Sequence, residues 1–181
     1  LIEAVAELQK KIPEIKLTIV GSGPDKEKLI SVIAGNVESS LRVRQPAEKQ
    51  SYNNVESSLR GTPKQSHNNV VLIDSLPKSD LAQLIASADV FVLNTAYEGF
   101  SHQIVEVMSL GVPVITTNVG GNSEIIKDGE NGLLVGYNDK EAIKQAILKL
   151  YKDRGLAARL GQNGTESVKQ YSVEAMLDKL T

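Results

Sequence analysis

The sequence predicts an α/β protein built on a doubly wound parallel sheet, and three observations carry that expectation. Short apolar runs recur along the 181 residues, they alternate with stretches of helical periodicity, and unusual chemistry gathers just after three of the runs. Strands that read as unbroken apolar runs are covered on both faces. Strands that alternate with helices need right-handed crossovers, and so a parallel sheet. Such sheets take ligands at the carboxyl ends of their strands, near a switch in strand order.

The elements follow in order. Leu1, Ile2, Val5, Ala6 and Leu8 recur at helical spacing, and Pro13 follows the stop. Leu17-Thr18-Ile19-Val20 is a β-rich run ending at Gly21-Ser22-Gly23-Pro24. A helix is expected over 25–34, with Pro24 placed to start it and Gly35 to end it. Val70 to Ile73 reads as a strand, Ser79 to Ser87 as a helix, and Val90 to Leu93 as a strand. Gln103 to Leu110 is a helix, Val114-Ile115-Thr116-Thr117 a strand, Glu124 to Lys127 a short helix, and Leu133 to Val135 a strand. Helices over Lys140 to Lys152 and Leu156 to Gln170 close the pattern.

Between the second helix and the Val70 strand lies a polar duplication. Asn36-Val37-Glu38-Ser39-Ser40-Leu41-Arg42 returns as Asn54-Val55-Glu56-Ser57-Ser58-Leu59-Arg60, and Lys49-Gln50-Ser51-Tyr52-Asn53 as Lys64-Gln65-Ser66-His67-Asn68. Two copies are too few for a solenoid, and the unit is too polar to bury a face of its own. The stretch at about 36–69 therefore reads as a mostly mobile insertion in a single domain over 1–181. It joins a helix end to a strand start, on the side away from the ligand-binding edge.

Composition excludes several classes. A formal net charge of −2 argues against a general nucleic-acid binder. The absence of cysteine rules out a disulfide framework and any cysteine–metal site. No apolar run reaches the roughly 18 residues needed to span a bilayer, since Asp89 interrupts Leu84 to Leu93. No signal peptide is visible, and a cytoplasmic location fits. The chain opens on Leu1 inside an amphipathic pattern already in progress, which reads as a fragment of a larger enzyme.

The central signal is Glu98-Gly99-Phe100-Ser101-His102-Gln103-Ile104-Val105-Glu106, followed by Gly111-Val112-Pro113-Val114-Ile115. Two carboxylates bracket the start of a helix that follows a strand. The first amides of a helix lack internal partners and, with the dipole, make an anion site suited to a diphosphate. Gly99 lets the backbone pass close to a ligand, and Ser101 can cap the helix. Glu106, about one turn in, can accept bonds from two neighbouring sugar hydroxyls. Glu98 can reach a second sugar across the phosphates.

The spacing and setting resemble the EX7E signature of retaining GT-B glycosyltransferases, specifically family 4. The resemblance runs from Leu1 to about Tyr171, apart from the insertion. Leu1-Ile2-Glu3-Ala4 looks like the helix after the family's first donor-domain strand, and Ile19 to Pro24 like its glycine turn. Ala88 to Leu93 looks like the strand into the motif, Val119-Gly120-Gly121-Asn122-Ser123-Glu124-Ile125-Ile126 like its Gly-Gly loop, and Gly129 to Val135 like its downstream turn. The resemblance implies a Rossmann-like domain, the C-terminal half of a GT-B fold. It implies transfer of a sugar from a nucleoside diphosphate sugar with retention. Glu98 would be the catalytic-site acid at the donor hexose, Glu106 would hold the ribose, and Gly99, Phe100, Ser101 and His102 would cradle the diphosphate. Gly21 would let the backbone approach the donor, and Gly120 and Gly121 would add a further contact.

The same resemblance implies no metal and no cofactor beyond the nucleotide sugar. The acceptor, a glycan or lipid-linked sugar, would sit in an amino-terminal domain outside this chain, as would the family's Arg and Lys at the leaving diphosphate. This chain alone is then expected to be inactive. The whole enzyme would make polysaccharide or glycolipid at the inner face of a membrane, with peripheral association. Asp74 stands where the family often has Gly, and Asn94-Thr95-Ala96 replaces a common Pro-Ser pair.

Plainer readings stand beside these. The two acids can be ordinary solvated residues. Gly21-Ser22-Gly23 lacks the third glycine of the dinucleotide fingerprint and can be a plain turn. Gly120-Gly121 reads equally as a turn or a ligand loop. His102 can be a general base, or a structural or solvated residue. Tyr97 reads as packing under its loop ahead of stacking on a sugar. Rival functions are a non-catalytic nucleotide-sugar-binding module, a receiver-like signalling domain, and a dinucleotide-dependent oxidoreductase. Gly21 and Asn94 at the strand ends disfavour the receiver, and the glycine spacing disfavours the oxidoreductase.

Overall fold

A computed structural model of the chain describes residues 1–35, 64–67 and 69–171. It forms two compact units, Leu1–Gln83 and Leu84–Thr181.

In the first unit, α1 (Ile2–Gln9) precedes β1 (Leu17–Val20), and α2 (Lys26–Gly35) follows it. The face of α1 spelled by Ile2, Ala4, Val5 and Leu8 is buried, as its spacing requires. β3 (Val70–Ile73) lies parallel to β1, with Leu17 opposite Val70 and Val20 opposite Ile73. Ile2, Ile33, Val70 and Leu72 form the core here, with Leu17, Ile19, Leu29 and Ile30 packed on it.

The duplicated stretch departs from expectation at its end. Lys64–His67 is a strand, β2, and it pairs antiparallel with β3, giving the sheet order β1-β3-β2. Asn69 takes φ +62 in the short connection, a conformation that asparagine tolerates. Its side chain donates to Pro13 O at 2.7 Å. A polar four-residue strand suits a sheet edge, where only one neighbour is needed, and it lacks the apolar alternation that marks a strand in sequence. The rest of the duplication, 36–63 and 68, lies outside the described residues.

The helix α3 (Lys78–Ala86) carries the boundary between the units. In the second unit, β4 (Phe91–Leu93), β5 (Val114–Thr117) and β6 (Leu133–Val135) pair in parallel in the order β4-β5-β6. Between them come α4 (His102–Ser109) and α5 (Asn122–Ile125), followed by α6 (Lys140–Lys152), α7 (Arg154–Val168) and a 3-10 turn at Lys169–Tyr171. Ile104, Val107 and Met108 of α4 pack with Val114, Ile125, Ile126 and Val168 in a core with almost no exposure. β5 is the central strand, and all four of its residues are buried. The parallel pairing and strand–helix alternation match the expected class, and among the described residues each unit carries a three-stranded sheet.

Helix starts follow their caps. Asp139 accepts from Ala142 N at 2.9 Å to open α6, and Asp153 from Leu156 N at 2.8 Å to open α7. The second cap starts α7 two residues ahead of the first apolar position used to predict it. Helix α7 approaches the turn that follows α4 closely at Gly161, where an added Cβ would lie 2.2 Å from Gly111 O. Thr165 Oγ1 donates to Met108 O at 2.9 Å nearby. Gly161→Ala gains up to about 1 kcal/mol of helix propensity, but the contact is to rigid backbone. A net loss of about 1–3 kcal/mol in denaturant unfolding is expected.

Candidate functional site

The loops beyond β4 and β5 build one arrangement at the carboxyl edge of the second unit's sheet, where parallel sheets bind ligands. The chain from Leu93 to Phe100 is fastened at successive backbone oxygens. Thr116 Oγ1 donates to Leu93 O at 3.1 Å, and Thr117 Oγ1 donates to Thr95 O at 2.7 Å. Thr95 Oγ1 donates to Tyr97 O at 2.7 Å, and Gly121 N donates to Glu98 O at 3.1 Å. Thr116 and Thr117 are fully buried, so the hydroxyls that end the apolar run of β5 serve the neighbouring loop.

The Gly-Gly turn lies against the backbone of the acidic loop. A Cβ on Gly120 would sit 1.9 Å from Glu98 O, and one on Gly121 would sit 2.1 Å from Gly99 O. Gly120 also takes φ +47. The equal choice between turn and ligand loop thus gains a structural reason: both glycines allow the Glu98 loop to be held by direct backbone contact. Asn122, wholly buried behind them, donates from Nδ2 to Thr116 Oγ1 at 3.0 Å and Thr117 O at 3.1 Å. Its Oδ1 has no partner among the described residues.

The start of α4 follows. Ser101 is buried, and its hydroxyl accepts from Ile104 N at 3.4 Å, as a cap. His102 N donates to Phe100 O at 3.1 Å, and Val105 N to Ser101 O at 3.3 Å. The amides of Gly99, Phe100, Ser101 and Gln103 have no intramolecular partner among the described residues. Gly99, Phe100, His102 and Gln103 are exposed, so this helix end is not covered by packed side chains. Glu98 is half-buried immediately before it. Glu106 is exposed on α4, about 6 Å further along the axis than His102 at 1.5 Å per residue.

Aromatic side chains brace this turn from one side. The Phe100 ring meets His102 edge-on at 5.3 Å and Tyr171 at 5.1 Å. Tyr171 thereby brings the end of the described chain against the loop. Tyr97 corrects an expectation: it does not pack under its loop but is 81% exposed. The backbone fastening of its loop is met without the ring.

In the first unit, Gly21 follows β1 with φ +154, and its amide donates to Ile73 O at 2.9 Å. A Cβ there would meet nothing within 4 Å, so conformation rather than crowding favours glycine. Asp74, one residue beyond β3, pairs with Lys26 Nζ at 2.7 Å, both half-exposed. Sequence reasoning missed the fastening residues Thr116, Thr117 and Asn122; the only trace was a pair of hydroxyls at the end of an apolar strand. No group of three metal-binding side chains occurs among the described residues, and no helix there is long and apolar enough to cross a membrane.

Comparison with known proteins gives this arrangement its context. The lipopolysaccharide core biosynthesis glycosyltransferase LpsE of Rhizobium meliloti (strain 1021) is 36% identical over 102 residues, 56% of this chain and 30% of that protein. The capsular polysaccharide biosynthesis glycosyltransferase CapM of Staphylococcus aureus is 38% identical over 113 residues, 62% of this chain and 29% of that protein. The stretches matched thus amount to about a third of the length of these curated relatives. Anabaena HepE, solved in complex with UDP-glucose, superposes with a TM-score of 0.68 at 22% identity, over 94% of this chain and 39% of HepE, and shares its fold. The model of the family described as "Glycosyl transferases group 1" matches residues 1–167, and the chain belongs to that family.

Proposed function

We propose that this chain is the donor-binding domain of a retaining family 4 glycosyltransferase, taking a nucleoside diphosphate sugar and passing its hexose to a glycan or lipid-linked acceptor. The observation that carries the proposal is the set of unpartnered amides of Gly99, Phe100, Ser101 and Gln103 at the start of α4, with Gly99, Phe100 and Gln103 exposed, between Glu98 and Glu106. Four amides and the positive end of α4 suit a diphosphate. Glu98, on its fastened loop, holds hydroxyls of the hexose near the reacting carbon. Glu106 accepts from the ribose. Gly120 and Gly121 act by keeping the Glu98 loop in place.

The chemistry follows from placement. The leaving diphosphate gains negative charge as the glycosidic bond breaks, and preoriented amides stabilise it without reorganising. His102, exposed beside the same amides, is placed to contact phosphate oxygens. The acceptor site belongs to a further domain, and the working protein is placed at the cytoplasmic face of a membrane. That HepE was solved with UDP-glucose supports the donor class. Titration of UDP, GDP and ADP, followed by amide NMR shifts, tests the site and names the base. Dissociation constants between about micromolar and millimolar are expected, with the largest shifts at residues 99–103. The absence of shifts there with all three nucleotides overturns the proposal.

A further inference from the structure

Aromatic side chains are scarce in this chain: five Tyr, two Phe and no Trp. Of the six in described segments, the three most exposed stand on the loops beyond β4 and β6, Tyr97 at 81%, Tyr137 at 51% and Phe100 at 40%. Phe100 is engaged by His102 and Tyr171. Tyr97 and Tyr137 make no ring contact with another described residue. Single exposed rings are ordinary; what sets these two apart is that their loops are joined to each other at the carboxyl edge of one sheet.

The two tyrosines hang from a single clasp. Strands β4 and β6 are not neighbours, since β5 lies between them. Nevertheless Asn94 Nδ2 donates to Asn138 Oδ1 at 2.8 Å, and Asn138 N donates to Asn94 Oδ1 at 3.0 Å. This reciprocal pair joins the two loops beyond the flanking strands. It holds Asn138 at φ +54, directly after Tyr137. Three residues beyond Asn94, the Tyr97 carbonyl is fixed by Thr95 Oγ1 at 2.7 Å. Both ring-bearing backbones are therefore set before any ligand arrives.

We propose that Tyr97 and Tyr137 form an aromatic platform that takes the apolar face of a pyranose ring. The inference rests on the donor-site reading and extends it to a sugar contact. A pyranose presents C–H groups on its faces and hydroxyls around its rim. Tyrosine rings supply the complementary flat surface at low conformational cost, with a polar end for a hydroxyl. The sugar is chosen over an apolar partner because Tyr97 directly precedes Glu98 and because polar amides, not aliphatic side chains, join the two loops. The pyranose comes either from the donor or from an acceptor glycan.

The test compares the full chain with its Tyr97→Ala, Tyr97→Phe and Tyr137→Ala variants. Each is titrated by NMR with UDP, GDP, UDP-glucose, GDP-mannose and maltotriose. Tyr97→Ala and Tyr137→Ala are each expected to weaken binding of the same pyranose-bearing ligand by about three- to tenfold, an aromatic-contact effect, and wild-type sugar binding by Tyr137→Ala removes Tyr137 from the platform. UDP and GDP binding should stay unchanged, and Tyr97→Phe should retain most of the affinity. Loss confined to the nucleotide sugars assigns the platform to the donor, and loss at maltotriose assigns it to an acceptor. Equal binding of every sugar ligand by wild type and Tyr97→Ala overturns the platform, as does an equal loss for UDP and GDP. A wild-type chain that binds neither nucleotide overturns the donor-site reading. The platform then stands or falls on whether maltotriose binds and Tyr97→Ala weakens it.

Discussion

Replacing Gly121 with alanine is expected to destabilise the chain by about 3 kcal/mol, at the upper end for forced overpacking, and to remove nucleotide binding with it. The backbone itself permits alanine, since Gly121 has φ −67. The whole cost is therefore contact. The new Cβ would lie 2.1 Å from Gly99 O and 2.8 Å from Gly99 C, both backbone atoms that no rotamer change can move. Relief requires the Glu98–Phe100 segment to retreat, which breaks the 3.1 Å bond from Gly121 N to Glu98 O. The same retreat carries the free amides away from their places at the start of α4. Gly99→Ala supplies the contrast, because a Cβ there meets nothing within 4 Å. It should leave stability near wild type and weaken nucleotide binding only by crowding the ligand. Denaturant unfolding and a UDP titration on both variants check the pair. Wild-type stability in Gly121→Ala would mean that the two loops are not packed backbone to backbone.

Glu98→Gln is expected to lower the rate of sugar transfer by about 10²–10³, equivalent to roughly 3–4 kcal/mol of barrier, the scale for losing one preoriented electrostatic group. The substitution keeps shape and removes only charge. No hydrogen bond or ion pair of the Glu98 carboxylate occurs among the described residues, and its loop is held through backbone oxygens. Melting should therefore be unchanged, which separates this variant from Gly121→Ala. Steady-state transfer assays on the protein that carries this domain give the readout, with kcat falling more than nucleotide affinity. Turnover within a few-fold of wild type would remove Glu98 from the proposed chemistry.

The limits of β3, β5 and β6 were legible from apolar runs alone, because a buried parallel strand writes its burial into consecutive residues, and those of the half-buried β1 were legible from its β-rich run. The start of α4 was legible to within one residue, because its cap, Ser101, acts on an amide three positions away. That Glu98 precedes this helix start and Glu106 lies on the helix was legible for the same reason, as their spacing is local. Lys64–His67 was not, since a polar edge strand owes its existence to the partner beside it rather than to its own pattern. Tertiary structure alone decided that Gly120 and Gly121 press on Glu98 and Gly99 about twenty residues away, that Thr116 and Thr117 spend their hydroxyls on the β4 loop, and that Tyr97 faces water. Periodicity reports on neighbours along the chain, within the reach of one turn or one pleat. Contacts between loops depend on which strands the fold sets side by side, and no local spacing encodes that.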